Sequence, residues 1–329
     1  MSLQTPPPSA WHRFRDSPYL PASVLVLIVS AAAALFAGAY SYSSANPVPH
    51  RVPIAVVGSS AQDTAFVQEL DRRMGTTLDA RSYDTTAAAR HAIDEQHAFA
   101  VLDAGRGSAT LDVASASGVS IARLFDEAAP TAAESLGHPV TVTDLKPMQD
   151  SDPQGLALFY TSLAAVIIGF LGSVQLGIHA RGLKPAERLA FTAAYCLLGG
   201  LLIHLAVDPL LGSLDMPFPG SWLVLALTMF TGAMVFTAFS SLLGRWAMLP
   251  TWGLLLLLGN PNSGGTVAWP LLPPFLAFIG RWLPPGASVS AQRDTIYFPG
   301  HQHAEPILVL AAWSIAGLLT YVLRERRPV

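Results

Sequence analysis

Leu258-Gly259-Asn260-Pro261-Asn262-Ser263-Gly264-Gly265 breaks a hydrophobic run, and a Trp- and Pro-rich stretch follows it, ending in Leu283-Pro284-Pro285-Gly286. In lipid such a break is costly, because unpaired backbone N–H and C=O groups find no water there. They persist only inside protein or beside an aqueous cavity. Residues of about 259–286 therefore read as a pathway or a re-entrant hairpin, not a plain anchor. The candidate site residues of this element are Gly259, Asn260, Pro261, Ser263, Gly264, Gly265, Pro284, Pro285 and Arg293.

The rest of the composition makes the membrane the solvent for most of the chain. Hydrophobic residues make up 51% and charged residues only 12%, with a mean hydropathy of +0.42, whereas soluble domains carry about 25% charge. Apolar runs near the ~20 residues that cross a bilayer fall at Leu20 to Tyr42, Leu156 to Ile178, Leu189 to Val207, Trp222 to Leu243 and Pro306 to Leu323. A sixth, Trp246 to Leu258, is short and contains Pro250. Interrupted segments of this kind point to transport sites, although close helix packing produces them too.

Basic residues orient the spans. Arg13, Arg15, Arg181, Lys184, Arg188, Arg245, Arg324, Arg326 and Arg327 face only Asp16, Glu187 and Glu325 in the connecting segments and termini, which assigns those to the cytoplasm. Six crossings with both termini inside satisfy every cluster. The division is then a cytoplasmic segment 1–19, a first helix 20–43, an extracytoplasmic domain 44–153 and a transmembrane domain 154–329. From Ser44 to Pro153, eight basic residues meet fifteen acidic ones, a net charge of −7 outside. A cleaved signal sequence is the alternative for the first span, but its apolar run is about twice the usual 7–15-residue signal core. The lone Cys196 lies in the third span, so the outer domain folds without a disulfide.

That outer domain reads as a small α/β layer. Val52 to Val57 is a buried strand; Phe66, Val67, Leu70 and Met74 mark one face of a helix. A short polar strand from Asp79 to Tyr83 precedes a helix with Thr85 as its N-cap. Phe99 to Leu102 and Ala109 to Val113 are strands joined by the Gly105-Arg106-Gly107 turn. Ile121, Leu124, Phe125, Ala128 and Ala129 form a third helical stripe, and Val140, Val142 and Leu145 alternate as a last strand. His91 and His97 sit beside Asp94 and Glu95, a pattern read as the solvated face of a helix. Gly105-x-Gly107 is a turn signal only, because no GxGxxG leads from a strand into a helix.

His204 and Asp208 are the polar candidates within or at the edge of a span, spaced i to i+4. Asp208 precedes Pro209 at the expected membrane surface, which leaves His204 as the deep one, either functional or bonded to a neighbouring helix. His301-Gln302-His303-Ala304-Glu305 invites a zinc reading, but no fourth ligand or second cluster has metal spacing in the sequence, so no metal and no cofactor is expected. Trp269, Trp282, Trp313 and Tyr297 read as an aromatic belt. No serine, histidine and carboxylate occur together in the spans, which argues against an intramembrane hydrolase and against an enzyme generally.

Three segments together resemble one family. They are Val142-Thr143-Asp144-Leu145-Lys146-Pro147 with Asp152-Pro153-Gln154-Gly155 leading into Leu158-Phe159-Tyr160; Gly259-Asn260-Pro261-x-Ser263-Gly264-Gly265; and Leu283-Pro284-Pro285-Gly286 with Arg293 and Tyr297. In this order they are similar to the phage-infection-protein (Pip/YhgE-like) membrane proteins, grouped with the permease subunits of ABC type-2 exporters. Larger members carry long coiled-coil outer regions where this chain has about one hundred residues. The resemblance implies a permease subunit in a bacterial plasma membrane, paired as a homodimer or with a related permease, exporting a hydrophobic or amphipathic cargo. It also implies a separate ABC ATPase, and the chain has no GxxxxGK[ST] phosphate loop of its own. The ATPase would dock on the loop carrying Arg181, Lys184, Glu187 and Arg188, or on Trp11 to Tyr19; plain topology signalling explains the same charges. A non-transporting receptor or envelope scaffold is the alternative function, and no nucleic-acid partner is expected. Abundant alanine, and arginine far in excess of lysine, fit a GC-rich bacterial genome.

Overall fold

A computed structural model describes residues 17, 19–44, 49–105 and 107–325. Trp11, Arg13, Phe14, Arg15, Asp16, Arg326 and Arg327, which carry part of the docking and orientation expectations, lie outside the described residues.

Between the first two long helices the chain alternates strand and helix as its apolar pattern predicts. The elements are β1 (Val52–Val57), α2 (Ala61–Met74), β2 (Leu78–Tyr83), α3 (Thr86–Asp94), β3 (Ala100–Gly105), β4 (Ser108–Val113), α4 (Val119–Leu136) and β5 (Val140–Asp144). They form one sheet in the order β2-β1-β3-β4-β5, parallel except for the β3/β4 hairpin. Because side chains alternate across a strand, Val52, Ile54 and Val56 face α2 and α4, while Ala55 and Val101 face the shorter α3. Phe66, Leu70 and Phe125 are almost fully buried on the larger face, each contributing roughly 1.5–3 kcal/mol by leaving water.

Local signals hold at the helix starts. Ser60 and Asp63 cap α2 reciprocally, at 2.7 and 3.2 Å, and the Thr85 hydroxyl accepts from the Ala88 N–H at 3.1 Å to open α3. Polar β2 occupies the sheet edge, where Asp79 and Arg81 discourage pairing with another chain. One expectation shifts: the last strand stops at Asp144, and Leu145 turns away to pack with the α3 face.

Among the described residues, five helices are long and apolar enough to cross a membrane, as in a multi-pass membrane protein. They are α1 (Tyr19–Ser44), α5 (Leu156–His179), α6 (Pro185–Leu205), α7 (Gly220–Leu243) and α11 (Ala304–Glu325). α7 packs against α5, α6 and α11. Small residues let the backbones approach: a Cβ on Gly169 would lie 2.3 Å from the Met229 carbonyl oxygen, and one on Gly317 would lie 2.6 Å from that of Met234.

The expected sixth span is the exception. It folds as α8 (Met248–Trp252), continues through wide π-type turns over Gly253–Gly259 and stops. Met248–Gly259 is a shorter apolar helix, about 18 Å at 1.5 Å per residue, against the roughly 30 Å of a hydrocarbon core. After the break come a 3-10 turn at Trp269–Leu271 and two short helices, α9 (Pro274–Trp282) and α10 (Pro284–Tyr297). Pro270, Pro273 and Pro274 keep Thr266 to Leu283 from being one continuous helix.

Candidate functional site

Where the helix stops at Gly259, the polar side chains of the break take over its hydrogen bonding. The Asn262 amide donates to the Leu258 carbonyl at 2.8 Å, and the Ser43 hydroxyl on α1 donates to Asn262 Oδ1 at 3.1 Å. The Asn260 amide donates to the Tyr40 hydroxyl, also on α1. Asn260, Pro261, Asn262 and Ser263 are buried, and Ser263 Oγ has no hydrogen-bond partner among the described residues.

Arg293 is buried on α10 and donates to the Gly264 carbonyl at 2.7 Å. A carbonyl released from helical bonding in the unwound turn offers the buried guanidinium an acceptor. Arg281 is exposed, with its guanidinium 5.4 Å from the centre of the Trp269 ring.

Trp269 packs within the broken segment. Its indole lies against Gly264, Gly280 and Gly286. Gly264 has φ +73, a conformation closed to most other residues, and a Cβ on Gly280 would stand 1.9 Å from the Asn262 carbonyl oxygen. Pro284 and Pro285 open α10, where their missing N–H groups cost nothing, and the Pro285 ring packs on Gly259. The Trp313 indole donates to the Trp282 carbonyl at 2.8 Å. Since Trp313 is the tenth residue of α11, the α9–α10 corner sits well down that helix and not at its end.

The sheet domain closes over this construction. Gln96 donates to Asp294 on α10 at 2.7 Å, the His50 N–H to the Pro270 carbonyl at 2.7 Å, and the Ala268 N–H to the Ser120 hydroxyl at 3.4 Å. Lys146 pairs with Asp94 at 2.7 Å and lies over the Phe298 ring. Ala268 and Leu271 are part of the larger hydrophobic core of the domain. Between the two parts runs a cleft of about 1560 Å3, lined among others by Arg51, Arg72, Trp269, Arg281, Asp294 and Glu305.

The α3 face that carries Asp94 and Glu95 is therefore not simply solvated. His301 Nδ1 lies 2.9 Å from Glu95 Oε1, and that hydrogen bond holds the Glu95 carboxyl below the ordinary glutamate range. The His303 N–H donates to Asp294 at 3.1 Å.

Of the residues singled out from sequence, the structure brings together Gly259, Asn260, Pro261, Ser263, Gly264, Gly265, Pro284, Pro285 and Arg293. Gly265 packs on the Phe159 ring of α5. The loop of Arg181, Lys184, Glu187 and Arg188 joins α5 to α6 at the far end of α5 from Phe159, roughly 30 Å along the helix axis. His204 is buried with Nδ1 unpartnered among the described residues; Asp208 does not serve it and accepts the Met216 N–H at 3.0 Å. Asp294, Gln96, Glu95 and the Trp269 wedge escape the sequence reading. Asp294 leaves a trace there as the neighbour of Arg293, and Glu95 as the neighbour of His91 and His97.

The chain matches no family model, no curated protein and no solved structure.

Proposed function

We propose that this chain is the permease subunit of an ABC type-2 exporter, driven by an ATPase on a separate chain and moving a hydrophobic or amphipathic cargo. The cleft between the sheet domain and the broken segment is the observation that carries the reading. Irregular backbone at membrane depth is tolerated beside a cavity, and here it adjoins one with Arg51, Arg72 and Arg281 on its walls. Those cations suit an anionic or zwitterionic head, while an apolar tail stays with lipid.

In this reading the chain crosses a bacterial plasma membrane six times, both termini are cytoplasmic, and the sheet domain is outside. The fifth crossing is α8 with its wide turns, too short by itself and completed by the buried turn after Gly259, and the α9–α10 hairpin enters the outer leaflet. Two copies, or this chain and a related permease, enclose the pathway. The ATPase docks at the α5–α6 loop. Glu187 has a local duty there, capping α6 by accepting the Lys184 N–H at 2.9 Å, which leaves exposed Arg181 and Lys184 for the partner. Arg188 lies against Gly177 and ties the loop to α5. A push on that loop passes along α5 to Gly169, which touches α7, and to Phe159, which touches Gly265.

Purification from native membranes tests the proposal. An ABC ATPase should copurify with the wild type and be lost with Arg181→Glu plus Lys184→Glu, while membrane insertion persists. Cysteines at exposed Glu134 and Asp215 in a Cys196→Ser background should react with an impermeant thiol reagent from outside, and one at Ala186 should not. Labelling at Ala186 in intact cells overturns the topology, and a stable preparation without ATPase overturns the exporter.

A non-transporting receptor or scaffold is the second reading. It is favoured by the shared core at Ala268 and Leu271, which fastens the sheet domain rather than leaving it free. Copurification of an envelope partner alone supports it.

A further inference from the structure

His91 and Glu95 stand one helical turn apart on α3, so their side chains share a face. The loop after α10 brings His301 to that face from more than two hundred residues away. One donor atom from each of the three lies within 4.8 Å of the others. His301 Nδ1 is 2.9 Å from Glu95 Oε1, and the His91 and His301 rings meet edge to face at 5.5 Å. We propose that His91, Glu95 and His301 bind one zinc ion, which fastens the sheet domain to the loop leading into α11.

The donor set selects the ion. Two imidazoles and a carboxylate suit zinc or a neighbouring late transition ion, whereas calcium and magnesium seek all-oxygen shells. Zinc bonds of 2.0–2.2 Å place tetrahedral donors about 3.4 Å apart. Ligation therefore opens the His301–Glu95 pair by about half an ångström and draws in the donor of the exposed His91 by rotation of its side chain.

The backbone is held in place from both sides. Gln96, at φ 51 just past the end of α3, bonds Asp294, and the same carboxylate accepts the His303 N–H. Lys146 grips Asp94 on α3 and covers Phe298 at the start of the loop. Binding is also balanced in protons: as the ion takes Nδ1, the single proton of the neutral His301 imidazole resides on Nε2. Three protein donors leave a fourth position for water. Because Glu95 also lines the large cleft, the ion would stand in its wall.

The test is calorimetric titration of the full, untagged chain in detergent with zinc chloride. One ion should bind per chain. His301→Ala and His91→Ala should each weaken binding by about a hundredfold or more, at least the loss seen on removing an outer-shell partner of a metal site. Glu95→Gln keeps a hydrogen-bond acceptor for His301 and should still weaken zinc binding, which separates ligation from simple bonding. His138→Ala, in the sheet domain but outside the cluster, should leave it unchanged. Zinc should also slow amide exchange from Gly300 to His303 in the wild type and not in His301→Ala. Absence of saturable binding, wild-type affinity in His301→Ala, or unchanged exchange on zinc addition overturns the proposal.

Discussion

In the bundle of α5, α7 and α11 the buried polar side chains are hydroxyls, whereas between Gly259 and Phe298 amides and charges join them. Ser173 meets Thr237 at 2.9 Å and Thr231 meets Ser314 at 2.9 Å, and both threonines also return a bond to their own helix, to Ala233 and Leu227. No backbone bond is given up for them. In the broken segment, Asn262 and Arg293 hold carbonyls that helix geometry no longer serves. Hydroxyls thus decorate an architecture that stands without them, and the amides and the guanidinium replace backbone bonding that has been removed.

Both regions also use glycine for close approach, and here the largest difference is expected. Two straight helices can part along their length, by about an ångström here, so Gly169→Ala should be partly absorbed. Gly280 faces the Asn262 carbonyl across a corner held by its own short connections, and a Cβ there would stand only 1.9 Å from the oxygen. Gly280→Ala should cost about 3 kcal/mol, the upper end of overpacking, read as a fall in thermal midpoint in detergent. Gly182→Ala, with nothing within 4 Å, is the control. Equal losses at Gly169 and Gly280 would erase the distinction.

Next in size is Arg293→Met. It strips the Gly264 carbonyl of its buried charged donor and should cost about 1.5–3 kcal/mol while leaving the five long helices inserted. The measurement is equilibrium unfolding, with Trp269 fluorescence reporting the neighbouring turn. A cost near zero would show that the guanidinium is incidental to the break.

Thr237→Val should do least. It removes the cross-helix partner of Ser173, and such bonds between membrane helices average about 0.6 kcal/mol. A loss as large as that of Arg293→Met would mean the bundle depends on its polar groups as much as the break does.

These contrasts track what was legible in the chain. The sheet domain could be read almost strand by strand, because Val52 to Val57 and the Phe66-Leu70-Met74 stripe follow periods of two and of three to four residues that a one-dimensional string displays directly. The break could be read as well, since Gly259 to Gly265 violates the apolar run around it. The partners of the break could not. Arg293 finds Gly264 only after two helices fold back, and Glu95 finds His301 only when the domain docks. Metal-ligand spacing fails as a guide for the same reason, because it searches neighbours in sequence and the donors here meet by tertiary approach. The sixth run looked like a span because its composition is that of one, and only its length, ended by the break, sets it apart.

The shared core at Ala268 and Leu271 bears on the order in which the protein is made. Residues 52–144 supply every strand of the sheet, yet the hydrophobic interior is completed by two side chains synthesised more than a hundred residues later. At 5–20 residues per second, translation leaves an interval on the order of 10 s in which a finished sheet has an open seam. Gly118 lies at that seam, so close to Ala268 that a Cβ there would touch it at 2.8 Å. The sheet domain thus receives its last piece from the membrane part of the chain, and its final closure marks the moment at which the broken segment has arrived.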